Sequence, residues 1–158
     1  MLEQRSRAGA ERYCERARNV ITKIDQCLGA ASRRWADIDS WLDLGCGYGR
    51  VLRFLIGRVP PERVLAADVI REAVDFCAAE FGVRPVYLDR QPAAVELPEV
   101  DFLYAISIVT HLTEQDARAT LGALGETLKP GGIALFTTHG RRSLERIERY
   151  GEQYVPLR

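Results

Sequence analysis

The sequence predicts a single α/β domain whose parallel sheet is covered by helices on both faces, and three observations carry that reading. Strand-like and helix-like segments alternate five times between residues 40 and 140, and right-handed crossovers then place helices over a parallel sheet. Residues 100–106 form a nearly continuous apolar run interrupted only by Asp101, as expected of a strand buried on both faces. Three glycines at alternate positions separate the first strand from the helix after it. With 158 residues, 47% hydrophobic and 28% charged, the chain suits one core and falls outside the disordered and low-complexity classes.

Tyr13, Ala17, Val20, Ile21, Ile24 and Leu28 recur at three- and four-residue steps, the apolar stripe of an amphipathic helix that ends near Gly29, a suitable C-cap. Residues 40–44 read as a short strand running into Gly45. A helix follows with Val51, Leu52, Leu55, Ile56 and Val59 on one side, closed by Pro60 and Pro61. Residues 63–67 form the second strand, ending at Asp68, and 72–81 form a helix that aligns Ala73, Cys77 and Phe81 before Gly82. The third strand, 85–88, ends at Asp89, and Pro92 and Pro98 make the stretch to Val100 a loop with at most one helical turn. After the fourth strand, Thr113 with Asp116 three residues on opens a helix through Leu128 in the manner of a capping box. Lys129-Pro130-Gly131-Gly132 reads as a stop and turn before a fifth strand at 133–138, and 141–150 reads as a last helix.

Twenty-two basic and 22 acidic side chains cancel, yet residues 1–34 carry eight against four, 35–140 nine against fifteen, and 141–158 five against three. The N-terminal cations are interleaved with Glu3, Glu11, Glu15 and Asp25, the pattern of a solvated helix face, and no nucleic-acid partner is expected. The longest nearly apolar run, residues 102–109, is far below the roughly 20 residues of a membrane span. The charged start Met1-Leu2-Glu3-Gln4-Arg5 lacks the apolar stretch of an export signal, so a cytoplasmic location is expected. Cys14, Cys27, Cys46 and Cys77 include no Cys-x-x-Cys pair and read as reduced thiols, mostly core filler.

In a sheet of this kind ligands sit beyond the carboxyl ends of the strands where strand order reverses, which directs attention to residues 45–50, 68–70, 89–91 and 107–111. The strongest signal there is Asp43-Leu44-Gly45-Cys46-Gly47-Tyr48-Gly49-Arg50. Glycine at such a turn permits positive φ and lets a ligand approach the backbone, and the helix start offers free amides. The dinucleotide fingerprint needs glycine where this chain has Arg50, which argues against a nicotinamide cofactor. Asp68 ends the second strand 25 residues after Asp43, where a carboxylate can accept from both hydroxyls of a ribose. Asp89 can meet the exocyclic amine of a base or simply form a turn.

This glycine motif, with Ala67-Asp68, the run Val100-Asp101-Phe102-Leu103-Tyr104-Ala105 to His111-Leu112, and Leu128-Lys129-Pro130-Gly131-Gly132, resembles the class I S-adenosylmethionine-dependent methyltransferases. Four motifs agree in order and spacing over residues 41–140. The wording of the glycine motif and of Tyr104-Ala105-Ile106-Ser107-Ile108-Val109-Thr110-His111-Leu112 is similar to bacterial small-molecule methyltransferases. The resemblance implies a Rossmann-like doubly wound sheet in order 3-2-1-4-5. It further implies S-adenosylmethionine as cofactor, S-adenosylhomocysteine as product, and a small-molecule acceptor such as a sugar or related metabolite. By the same resemblance Gly45, Cys46, Gly47, Gly49 and Arg50 pass the backbone along the methionine moiety, and Asp43 helps hold its amino group. Asp68, followed by Val69, takes the ribose, Asp89 borders the adenine, and Ser107 lies near the methionine end and the acceptor.

His111 follows the fourth strand close to the expected methyl position and has a pKa suited to a general base; the plainer alternative is a helix-entry residue bonded to backbone. His139 and Tyr13 are further candidates. No metal is expected, since the chain has two histidines and no His-Glu-x-x-His spacing. An Asn/Asp-Pro-Pro-Tyr sequence after the fourth strand, typical of exocyclic-amine DNA methyltransferases, is missing.

The division expected is a helical cap at 1–34, a cofactor-binding core at 40–140 and a C-terminal helix at 141–158. Only 20 residues follow the fifth strand, where the family adds a helix and an antiparallel hairpin. The hairpin is therefore expected to be missing, either because the chain is a fragment of a longer enzyme or because the sheet closes another way. The fifth strand should be a bare edge unless the C-terminal segment, a dimer partner or further sequence covers it. The competing functional reading is a catalytically degenerate module that only binds S-adenosylmethionine.

Overall fold

Helix α1 (Leu2–Ala30) opens the chain and is followed by β1 (Trp41–Leu44), the single turn α2 (Leu52–Leu55), β2 (Val64–Asp68), α3 (Arg71–Phe81), β3 (Arg84–Tyr87), β4 (Val100–Ala105), α4 (Glu114–Glu126) and β5 (Leu128–Phe136). The structure is a computed structural model that describes residues 2–89, 97–140 and 145, the side chains of residues 2–8 and of His111 excepted. Most of the loop expected before Val100, and the helix expected at 141–150 apart from Glu145, lie outside the described residues.

The strands form one sheet in the expected order, β3-β2-β1-β4-β5, with every neighbouring pair parallel. Reversal of strand order at β1 leaves a crevice above the carboxyl ends of β1 and β4. β1 and β2 are buried throughout, and β4 is buried except at Asp101, which is why these segments read as unbroken apolar runs. Side-chain alternation sorts the two faces. Trp41 of β1, Ala66 of β2 and Phe102 and Tyr104 of β4 join one core with residues of α1, α2 and α3. Leu42, Leu44, Leu65, Leu103 and Ala105 join another with Leu124 of α4. Trp41 is stacked between Trp35 and Phe102, at centroid separations of 5.1 and 4.8 Å.

Three boundaries differ from the sequence reading. α1 runs past Gly29, and its left-handed C-terminal residue is Ser32 (φ 54°). Arg33 N donates to Leu28 O and Ser32 N to Gly29 O, the paired bonds of a Schellman motif. The helix expected across 51–59 is regular only at α2, flanked by turns at 47–51 and 56–58; Val51, Leu52, Leu55 and Val59 are nonetheless buried.

The third difference is at Lys129-Pro130-Gly131-Gly132, which does not stop the chain before a strand but lies inside β5. Val100 pairs with Leu128 while Phe102 pairs with Ile133, so the glycines form a bulge, with Gly131 at φ 77°. Lys129 explains why pairing begins early. Its Nζ donates to Asp101 Oδ2 and Ser40 Oγ, each at 3.0 Å, and the same carboxylate oxygen accepts from Ser40 N at 2.9 Å. Burial alone would raise the Asp101 pKa, but the hydrogen bonds from Lys129 and Ser40 and the lysine charge hold it below the ordinary value. This clamp ties β1, β4 and β5 together at the end of the sheet opposite the glycine loop. Among the described residues no strand follows β5, and no helix is long and apolar enough to cross a membrane.

Candidate active site

The loop after β1 is shaped by three left-handed glycines, Gly45 (φ 75°), Gly47 (φ 48°) and Gly49 (φ 69°). They do different work. A Cβ at Gly45 would collide with Ile108 Cδ1 and one at Gly49 with Phe81 Cε2, whereas among the described residues nothing lies within 4 Å of the position a Cβ would take at Gly47. Two glycines are thus required by packing, while the third leaves bare backbone facing open space where a ligand can approach. Gly45 N and Cys46 N both donate to Ala67 O, at 2.7 and 3.1 Å, docking the loop on the end of β2.

Asp68, at that end, is 8% exposed. Its Oδ2 accepts from Gly47 N at 2.8 Å and its Oδ1 from Ile70 N at 3.0 Å. Each oxygen keeps a further lone pair, so the carboxylate is held in place and can still accept from two hydroxyls. Val69 and Ile70 follow it as exposed apolar side chains, 49% and 48% accessible, a surface suited to a planar base.

Asp43 is buried one strand away, and among the described residues its Oδ2 has no partner apart from the neighbouring Tyr104. Burial pushes its pKa up to about 7; Tyr104 and the Arg50 charge pull downward, and the Asp68 charge adds to the rise. Tyr104 lies opposite Asp43 in the pairing of β1 with β4, and among the described residues its buried hydroxyl has no partner other than Asp43. The Tyr104 pKa is raised by burial and by the neighbouring Asp43 charge. Beneath the loop, Cys77 Sγ donates to Gly47 O at 3.2 Å, and the Cys46 thiol is pushed up by hydrogen bonding with Cys77 and by burial. Both buried cysteines are free thiols.

The structure brings together Asp43, Gly45 to Arg50, Asp68, Val69 and Ser107 at one end of the sheet. Ser107, just past β4, adopts φ 64°, and its N donates to Thr137 Oγ1 at 2.7 Å, joining the ends of β4 and β5. Such strain in a non-glycine residue is commonly retained at functional sites. Asp89 is exposed beyond edge strand β3, one residue after Leu88, whose N donates to Asp68 O. His111 ends the 3-10 turn Val109–His111 above β4, its side chain outside the described residues. His139 is exposed beyond β5. Tyr13 reaches the loop through Arg53, whose guanidinium lies 5.5 Å from the Tyr13 ring and donates to Gly49 O and Tyr48 O, each at 3.2 Å.

Four contributors are missed by sequence reasoning: Tyr104, Arg53, Ile108 and Phe81. Only Tyr104 carries a signal along the chain, as a hydroxyl inside a strand that is otherwise buried and apolar. The others act through contacts across the fold.

The residues present fit S-adenosylmethionine on three counts. Asp43 supplies a buried acidic oxygen for an ammonium group, Gly47 gives unobstructed backbone, and Asp68 gives a preset acceptor for a ribose. Residues 42–132 match the family described as methyltransferase domain. Over 139 residues the chain is 24% identical to a malonyl-[acyl-carrier protein] O-methyltransferase of Acetivibrio thermocellus, covering 85% of this chain and 47% of that protein. Among solved structures it is similar to an amino pentose methyltransferase from Micromonospora echinaspora bound to S-adenosylmethionine, with TM-score 0.67, 23% identity, and coverage of 89% of this chain and 57% of the other. It is also similar to a sugar N-methyltransferase from Streptoalloteichus, with TM-score 0.60, 15% identity, and coverage of 73% and 47%. The chain spans about half the length of the curated relatives it matches.

Proposed function

This chain belongs to the methyltransferase-domain family, whose members use S-adenosylmethionine, and on that premise we propose that it moves a methyl group from S-adenosylmethionine to a small-molecule acceptor, a sugar or related metabolite. The observation that carries the reading is the Gly47 N to Asp68 Oδ2 bond at 2.8 Å beside the open backbone of Gly47. It gives the donor a preset place. The bound donor supplies an electrophilic methyl on a sulfonium, so the acceptor's lone pair forms the new bond as the carbon–sulfur bond breaks and S-adenosylhomocysteine leaves.

The protein's share is alignment and exclusion of water. Asp68 holds the ribose, Asp43 takes the ammonium, Val69 and Ile70 flank the base with Asp89 beyond it, and the Arg50 charge adds a small pull toward the ionised form of Asp43. Ser107 faces the transferring group. For a hydroxyl acceptor, His111 takes the proton released as the new bond forms. The sugar assignment is supported by the activities of the similar amino pentose and sugar N-methyltransferases; the malonyl-carrier relatives favour an acyl-carrier carboxylate as the second choice.

The test is S-adenosylhomocysteine production from purified protein offered nucleotide-linked sugars, amino sugars and malonyl-loaded acyl carrier protein. Turnover with a sugar supports the proposal, turnover with the carrier alone selects the second choice, and tight donor binding with no turnover identifies a binding module.

A further inference from the structure

Asp43 and Tyr104 form a pair that the fold isolates. They are register partners on adjacent parallel strands, β1 and β4, so both side chains point to the face covered by α1, α2 and α3. Both are buried, at 3% and 0% exposure. Among the described residues neither Asp43 Oδ2 nor the Tyr104 hydroxyl has a partner elsewhere in the fold, and each is the other's polar neighbour. Two polar groups left with only each other in one core are unusual, because a buried donor or acceptor without a partner is costly. A core needing only bulk at 104 is served by Phe. The hydroxyl asks for a reason.

The groups facing Asp43 are few. Tyr104 is on β4, Asp68 ends β2, Arg50 lies just beyond the loop, and the thiols of Cys46 and Cys77 come from the loop and α3. Asp68 is committed to Gly47 N and Ile70 N, Cys77 to Gly47 O, and the Cys46 thiol to Cys77. Tyr104 is therefore the uncommitted neutral donor beside Asp43, and a phenol stabilises a carboxylate without adding charge.

We propose that Tyr104 is a positioning residue of the donor site, its phenol donating to Asp43 so that the carboxylate meets the ligand's ammonium group ionised and correctly turned. This rests on reading the glycine loop as the S-adenosylmethionine site. Removal of the hydroxyl leaves Asp43 protonated over a wider pH range, so ligand affinity falls near neutrality and recovers at higher pH. The pH window of binding is then set by a residue that touches no ligand.

The experiment compares wild type with Tyr104→Phe, which keeps the ring and its packing. Calorimetric affinities for S-adenosylhomocysteine are measured from pH 5.5 to 9. The ligand's own amine titrates alike in both series and cancels in their ratio. The expected result is a roughly five- to tenfold loss of affinity at pH 6.5–7 that shrinks toward equality at pH 9, the size of a shift of just under one pH unit in Asp43. A ratio independent of pH, or equal affinities throughout, overturns the proposal. As a second measurement, carbon-13 NMR follows the Asp43 carboxyl in ligand-free protein. Its titration should move upward in Tyr104→Phe, and an unmoved titration overturns the proposal. Should S-adenosylhomocysteine bind neither protein, the donor-site reading fails, and the NMR titration still decides whether Tyr104 sets Asp43.

Discussion

Gly47 N donates to Asp68 Oδ2 at 2.8 Å, so the open segment of the glycine loop is held by the same carboxylate that we propose receives the ribose. Loop shape and the proposed ligand contact therefore depend on one side chain. Asp68→Ala removes the partner of Gly47 N and Ile70 N together with the proposed ligand contact. It should weaken S-adenosylhomocysteine binding by about tenfold or more by calorimetry, and lower unfolding free energy in urea by about 1–3 kcal/mol.

The three glycines should separate by mutation. Gly49→Ala forces a side chain against Phe81 in left-handed backbone and is expected to cost about 2–3 kcal/mol of stability in urea titrations. Gly47→Ala meets no neighbour among the described residues and should cost only about 1 kcal/mol. Its new methyl occupies the approach to the backbone, so calorimetry should show donor binding largely lost in a folded protein.

The Lys129–Asp101 pair gives a pH signature. Asp101 is held below its ordinary value, so its stabilisation is present above about pH 4, the unfolded carboxylate range, and is lost as pH falls through the depressed folded value. Lys129 is 37% exposed, which limits the effect through solvent screening. Lys129→Met should lower stability by roughly 1 kcal/mol at pH 7, and urea midpoints of the two proteins should converge once pH falls below the depressed Asp101 value.

Asp43 should behave in the opposite sense. Its pKa is raised to about 7 by burial, so the folded protein binds a proton that the unfolded chain releases near pH 4. Stability on this account falls as pH rises from about 4 to 7 and is level above. Asp43→Asn removes the charge, so it should gain stability relative to wild type between pH 5 and pH 8 in urea titrations, while binding S-adenosylhomocysteine more weakly at pH 8.

Catalysis is tested at His111. For a hydroxyl acceptor, His111→Ala should lower the single-turnover rate by on the order of a hundredfold at saturating donor, with donor affinity nearly unchanged. An unchanged rate leaves alignment as the whole of catalysis.

Much of this was readable along the chain because it depends on local pattern. Parallel strands buried on both faces betray themselves as apolar runs, and the order of β1 to β5 follows from the family resemblance carried by residues 41–140. Asp68 was readable for the same reason, as an acid at the end of such a run. The difference between Gly47 and its two neighbours was not, because Ile108 and Phe81 crowd Gly45 and Gly49 from distant segments. Lys129-Pro130-Gly131-Gly132 misled for a related reason. Pro and Gly are turn formers in isolation, and only the pairing of Leu128 with Val100 reveals that they bulge within a strand.

That bulge bears on how the molecule meets its own kind. β5 is nine residues long, yet it offers no nine-residue edge. Pro130 lacks an amide hydrogen, Gly131 turns left-handed, and the register breaks between Val100 and Phe102. An incoming strand can add continuously only along residues 133–136, about 13 Å of backbone. Ile133 and Leu135 are half-buried against the core while Ala134 and Phe136 are exposed. Among the described residues the outer edge is thus divided into a guarded stretch and a short one suited to pairing, a division that resists the long in-register stacking that leads to fibrils.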